Sequence, residues 1–153
     1  MRAYISQQDM LDLKTVRNGT NRVIVPLTHG TVEGSGLKAT ITQGGSDSMT
    51  QDTKLGIAHI DVRTQARTDD GQFLFIYYTG VLKIDEAVAK VLTGAKDAKS
   101  TEFGDLHWFV APIIETSDEK FKWVENTLFV AEGRLVVDEQ GSAVEYQIFK
   151  VSN

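Results

Sequence analysis

The chain has 153 residues, 41% of them hydrophobic and 24% charged, with a formal net charge of -5; that length buries roughly two thirds of the unfolded surface in one core, so a single domain over 1–153 is expected. The acidic balance and the lack of any basic stripe exclude a protein built to neutralise phosphates, and no nucleic-acid partner is expected. With no cysteine there is no disulfide framework, thiol nucleophile or thiolate metal site.

The opening MRAYISQQDMLDL holds no apolar run of signal-peptide length, and nowhere do ~18 apolar residues follow one another, so a cytoplasmic protein that does not enter membranes is expected. A first strand beginning at Arg2 or Ala3 is followed by Asn18-Gly19-Thr20, which reads as a turn. NRVIVPL is a short strand; in THGTVEGSG the glycines at 30, 34 and 36 mark a bend, a bulge or a close backbone approach. LKATITQ resumes as a strand, and GGSDS at 44–48 is a turn or loop. Residues 55–67 alternate, Thr68-Asp69-Asp70-Gly71 signals a hairpin, and FLFIYYTGVLK returns as a β-branched and aromatic strand.

DEAVAKVLTGAK is the one helix, at about 85–94: Asp85 caps it, Ala87, Val88, Val91 and Leu92 share a face, and Gly94 stops it. LHWFVAPIIET, KWVENTLFVAEGRLVV and SAVEYQIFKVS supply further strands, with turns at Asp118-Glu119 and Glu139-Gln140-Gly141. About seven to nine strands and one helix predict an all-β, antiparallel barrel, preferred to a sandwich because closure removes exposed edges.

In HIDVR, residues 59–63, the strand period puts His59, Asp61, Arg63 and Gln65 on one face and Ala58, Ile60, Val62 and Thr64 on the other. Alternation leaves two readings open. The polar set faces water, or it lines a ligand cavity while the apolar set packs outside against the helix or a partner subunit; a homo-oligomer is compatible with the second.

RVIVPLTHGTVEG, then GGSDS, the Asp-x-Arg of IDVRTQARTDDG, and P-x-x-E-T followed by Trp and TLFV run in that order from about Arg22 to Val151. Together they resemble the domain-of-unknown-function 3237 family, small β-barrel proteins of bacteria and fungi. The resemblance implies a calycin- or lipocalin-like barrel whose open end holds a small molecule. Its fungal, natural-product-pathway type implies a cofactor-free cyclisation or isomerisation of a polyketide-like substrate. It also favours an inward orientation for Asp61 and Arg63, the retained Asp-x-Arg. Ser48, Tyr78, Phe109 and Glu125 stand where the family tends to carry Trp, Asn, Arg and Asn, which suits an aromatic, apolar ligand.

On that reading Asp61, kept ionised by Arg63, takes a proton from a phenol or enol, and Arg63 holds the developing oxyanion. Glu33, in T-V-E-G, is a second catalytic carboxylate, and Glu125, read as sharing a strand face with Trp123, Thr127 and Phe129, a third. His107 and Tyr78 are candidate acids, with His29 behind them. Tyr77, Tyr78, Phe109, Trp123 and His59 are the expected substrate contacts. His29, His59 and His107 have no ligand spacing, so no metal is expected, and GTVEGSG is neither a P-loop nor a dinucleotide fingerprint, so no cofactor is expected either. The expected function is a cofactor-independent acid/base cyclase or isomerase, for example an intramolecular hydroalkoxylation, acting on an aromatic polyketide-like, hydrophobic intermediate. A non-catalytic lipocalin-like binding protein is the alternative, and an oligomeric structural protein with a filled barrel is the third.

Overall fold

A computed structural model describes residues 1–17 and 19–152; Asn18, the first residue of the expected turn, lies outside the described residues. Nine strands form one antiparallel sheet: β1 (Arg2–Ile5), β2 (Leu11–Thr15), β3 (Asn21–Gly34), β4 (Leu37–Asp52), β5 (Ile57–Thr68), β6 (Phe73–Lys83), β7 (Trp108–Thr116), β8 (Phe129–Asp138) and β9 (Gly141–Lys150). The sheet order is β1-β9-β8-β7-β6-β5-β4-β3-β2, and β1 also pairs with β3. That last pairing closes an eight-stranded barrel and leaves β2 as an extra strand.

The long β3 edge is shared by two short strands in succession. β2 pairs with its first half, Leu11 opposite Ile24, and β1 with its second half, Arg2 opposite Thr31 and Ala3 opposite Gly30. Closure brings main chain onto main chain at Gly30, where a Cβ would lie 2.0 Å from the Arg2 carbonyl oxygen, so only glycine fits. Around His29 the inward phase of β3 shifts from Val23, Val25 and Leu27 to Gly30 and Val32, and the register with β4 shifts at the same place. Gly34 is still strand; Ser35 and Gly36, with φ of 51° and 84°, make the two-residue turn into β4.

GGSDS is not a turn. It lies inside β4, where the pairing with β5 moves from Thr42 opposite Gln65 to Ser46 opposite Arg63, two extra residues on the β4 side. Because the offset is even, Leu37, Ala39, Ile41, Asp47 and Met49 keep one orientation along the strand. The hairpin signalled at 68–71 joins β5 and β6, which pair without interruption from Ile57 opposite Lys83 to Arg67 opposite Phe73.

Helix α1 (Glu86–Leu92) forms where its cap and apolar spacing place it: Asp85 accepts from the Val88 N–H at 3.0 Å, and Val88 and Val91 are fully buried. It closes one end of the barrel. KWVEN, expected as strand, is part of a 3-10 helix (Glu119–Asn126) with Asp118 as its cap. Its polar residues lack the period of two, and its buried pair, Phe121 and Val124, is three apart, the repeat of a 3-10 turn. This helix leans on β7 where that strand has run out of partner: β7 and β8 share only two rungs, Phe109 opposite Glu132 and Val110 opposite Ala131.

Substituting Gly30→Ala should destabilise the protein by at least about 1–3 kcal/mol, the usual cost of overpacking, because the added methyl meets backbone on the closing strand. Urea denaturation reads this directly, and an unchanged midpoint would show that β1 does not close the barrel at Gly30.

Candidate functional site

Directly opposed residues on neighbouring strands share a face of the sheet. One such row crosses the barrel wall as Val25 on β3, Asp47 on β4, Val62 on β5 and Tyr78 on β6. Val25, Val62 and Tyr78 are buried, so Asp47 is the carboxylate of an otherwise apolar inner row. The cavity beside it measures about 40 Å³, room for about three waters. Val88, Val91 and Leu92 of α1 cover it, and Tyr78, Tyr146 and Trp108 give it its polar atoms. Ile41, Ala66, Leu74 and Ile76 fill other parts of the interior.

Asp47 as a residue keeps some contact with water, but its carboxyl is withdrawn into this apolar setting. Burial pushes its pKa up to about 7, against the opposing pull of the Asp61 backbone N–H, which donates to Oδ1 at 3.0 Å. The negative charge of Asp61 adds to the rise. Burial also pushes the Tyr78 and Tyr146 phenols far up, so both remain protonated hydroxyls near neutral pH. The rings pack edge to face, with Tyr78 and Tyr146 centroids 5.1 Å apart and Trp108 and Tyr146 5.3 Å apart. Among the described residues, the buried Tyr78 hydroxyl and Trp108 Nε1 make no hydrogen bond of good geometry, although the Tyr146 hydroxyl lies near both. Two unpaired donors in one chamber are costly, about 1–3 kcal/mol each, and are the feature a ligand with an acceptor would relieve.

Most of the residues singled out from the sequence lie elsewhere. Asp61 and Arg63 point outward, contrary to the inward orientation expected of them, in an exposed ion pair of 2.7 Å with side chains 40% and 57% accessible. Ala58, Ile60, Val62 and Thr64 take the inside, because an apolar set gains from burial while an ion pair there would lose hydration. The Arg63 guanidinium covers the outward ring of Tyr77 at 4.7 Å. His59 is likewise exposed, in a shallow outer groove with Arg22 and Thr79.

Glu33 sits at the β3–β4 hairpin end, solvated and 3.9 Å from Lys38. It lacks the apolar setting a general acid needs. Glu125 is on the 3-10 helix and not on a strand face with Trp123: it accepts from Lys122 Nζ at 2.8 Å and from the Thr116 N–H at 2.9 Å. Lys122, then Thr116, hold its carboxyl below the usual range, which keeps it anionic and structural. His107, edge-on to Phe109 at 5.3 Å, is exposed, as are Phe109 and Trp123. His29 stacks on Tyr4 outside the barrel, with ring centroids 4.4 Å apart. Of the expected substrate contacts, Tyr78 is the one inside.

Asp47 was hidden by the glycines before it. Its signal was present nonetheless: it continues the odd-numbered inward series from Leu37 to Met49. Among the described residues no group of three or more His, Cys, Asp or Glu side chains is placed to hold a metal ion, and no helix is long and apolar enough to cross a membrane.

A family model described as "Protein of unknown function (DUF3237)" matches residues 1–151. The chain belongs to the DUF3237 family. Over 113 residues, 71% of this chain, it is 30% identical to a UPF0311 protein of Clostridium acetobutylicum, and the match spans 66% of that relative, just under two thirds. Among solved structures, a beta-barrel like protein from Acinetobacter baumannii is 26% identical with a TM-score of 0.72, covering 99% of this chain and 92% of the other. Proteins of unknown function from Rhodopseudomonas palustris (TM-score 0.77, 19% identity, 97% and 92% covered) and C. acetobutylicum (TM-score 0.73, 19% identity, 99% and 94% covered) share the fold. The barrel fold is thus common to this DUF3237 chain and these structures.

Asp47 links this chamber to stability. With a folded pKa near 7 against an ordinary 3.8, its contribution is fully present below the lower value and is lost as pH rises through the upper one. From about pH 4 to 7 the wild type should lose stability relative to Asp47→Asn, by a few kcal/mol at about 1.4 kcal/mol per unit. Urea denaturation of both proteins across that interval measures the difference; parallel profiles would mean that the carboxyl is not withdrawn from water.

Proposed function

We propose that this DUF3237 protein is a cofactor-independent acid/base enzyme, an isomerase or cyclase, that works in the barrel interior. The observation that carries the reading is the Asp47 carboxyl, with a pKa of about 7, in an apolar chamber with the unpaired Tyr78 and Trp108 donors. A group titrating near the working pH both accepts and returns a proton, and hydrogen-bond donors held in a dry site stabilise charge that develops on a substrate. In a hydroalkoxylation, Asp47 would activate the hydroxyl or protonate the alkene carbon, and the chamber would hold the chain folded for ring closure.

Size bears on the substrate. The cavity of about 40 Å³ is far below the roughly 300–1,000 Å³ of sites for drug-sized ligands. An aromatic polyketide-like intermediate therefore requires α1 to move off the barrel end. What holds α1 there is the burial of Val88 and Val91, both fully buried, together with the Gln7 Nε2 bond to the Val91 carbonyl, so such a ligand would have to displace that packing.

A non-catalytic, lipocalin-like binding role is the second reading, favoured by the almost wholly aliphatic and aromatic lining. Proton NMR of small unsaturated alcohols and ketones incubated with the protein separates the two. The enzyme reading expects conversion of at least one compound, slowed about 100-fold or more by Asp47→Asn with binding retained. Binding without conversion, and equal in both proteins, would leave the carrier. If no compound perturbs interior resonances, the interior is not a ligand site.

A further inference from the structure

We propose that the interior ligand is a small uncharged carbonyl compound, its oxygen held by the Tyr78 hydroxyl and the Trp108 indole N–H and its α-carbon turned toward Asp47. This rests on the barrel interior being the ligand site, and it names what that site takes.

The donor inventory decides the ligand's chemistry. An indole N–H donates and never accepts, so the unpaired Trp108 Nε1 calls for an acceptor atom. The Tyr78 hydroxyl is fully buried and kept protonated by burial; the Tyr146 hydroxyl is its polar neighbour and that of Trp108 Nε1, yet neither donor makes a hydrogen bond of good geometry to it. Both line the same chamber, and the Tyr146 side chain packs against each. A carbonyl oxygen has two lone pairs in one plane and satisfies two donors at once.

Charge narrows the choice. Among the described residues no Lys, Arg or His lines the chamber, and its one carboxyl is that of Asp47, so an anionic ligand would meet a carboxyl and no cation. A cationic ligand would suit Asp47 and the three aromatic faces, but would leave the indole N–H and its neighbour unanswered. A neutral acceptor meets both conditions. The enclosed space admits a molecule of a few non-hydrogen atoms while α1 stays in place.

With such a ligand the reaction is a proton transfer next to the carbonyl. The Asp47 carboxylate removes a proton from the α-carbon; the C–H electron pair becomes the C=C bond of an enolate, and the C=O π pair moves onto oxygen. Tyr78 and Trp108 hold that oxygen as its charge grows. Asp47, now the acid, returns the proton to the same carbon or, in an unsaturated ketone, to the γ-carbon. Nothing is oxidised or reduced, and the product is an isomer.

The two tryptophans provide the measurement. Trp108 is buried in the chamber and Trp123 is exposed on the 3-10 helix, so the indole N–H signals of one sample report the site and an internal control. Butanone, propionate and tetramethylammonium are titrated separately, as neutral, anionic and cationic probes of matched size. Butanone should move the Trp108 signal and leave that of Trp123, and its affinity, followed by ligand-detected NMR, should fall tenfold or more in both Tyr78→Phe and Trp108→Phe. In D₂O the protein should speed loss of the butanone α-proton signals, and Asp47→Asn should abolish this while still binding. The near-ultraviolet circular dichroism of the isosteric Tyr78→Phe variant confirms its fold. If tetramethylammonium or propionate moves the Trp108 signal and butanone does not, the carbonyl assignment is wrong and the interior site stands. If none of the three moves it, both fall. If butanone binds as described without faster exchange, the ligand assignment holds and the acid/base reading fails.

Discussion

A closed eight-stranded barrel gives each strand residue two places to point, and closure turns that choice into a commitment shared by all neighbours. Once Val25, Val62 and Tyr78 face inward, the residues opposite them do too. Desolvation then sorts the chemistry: ion pairs are driven to the outer face, Asp61–Arg63 in contact with water and the partly shielded chain of Arg2, Glu145, Arg134 and Glu102 compensated by mutual pairing. The chamber inherits what remains, which is aliphatic and aromatic surface with one carboxyl among it.

That carboxyl is inside because of what happens two residues before it. A Cβ at position 45 would lie 2.6 Å from Thr64 Oγ1 and 2.8 Å from the Arg63 carbonyl, so the strand can take up its extra residues against β5 only with glycine there. The bulge also distorts the ladder, and the Asp47 side chain accepts the Asp61 N–H. One local irregularity thus supplies both the position of the acid and the hydrogen bond that holds it.

The regular parts of this architecture were legible in the sequence. The β5–β6 hairpin, the capped helix after Asp85 and an antiparallel all-β barrel follow from alternation, turn chemistry and capping, which are local. The candidate site was less so. HIDVR alternates equally well either way up, and what decides its orientation is the summed burial of Ile60 and Val62 against seven other strands, which no window of the sequence contains. GGSDS carries the composition of a loop, yet long strands on either side absorb it. KWVEN reads as strand only through the strand that follows it. Tyr78 stands out in the sequence by its departure from a family position, whereas nothing in the sequence distinguishes Tyr146 and Trp108 from aromatics that only fill space.

The narrow join between β7 and β8 gives the wall a hem of a different material. Beyond Val110 the β7 backbone is fastened by side chains: Glu125 takes the Thr116 N–H, and the Lys122 ammonium takes the Thr116 carbonyl. Elsewhere the barrel is held by main-chain ladders that acidity does not touch, but this line depends on an anion. The carboxyl of Glu125 is held low, so its share of the fastening persists through mild acid and is released only once the pH falls through that lowered value. Strong acid would therefore release the Thr116 N–H from Glu125 along this one hem beside the 3-10 helix, while the β6–β7 ladder next to it stays paired.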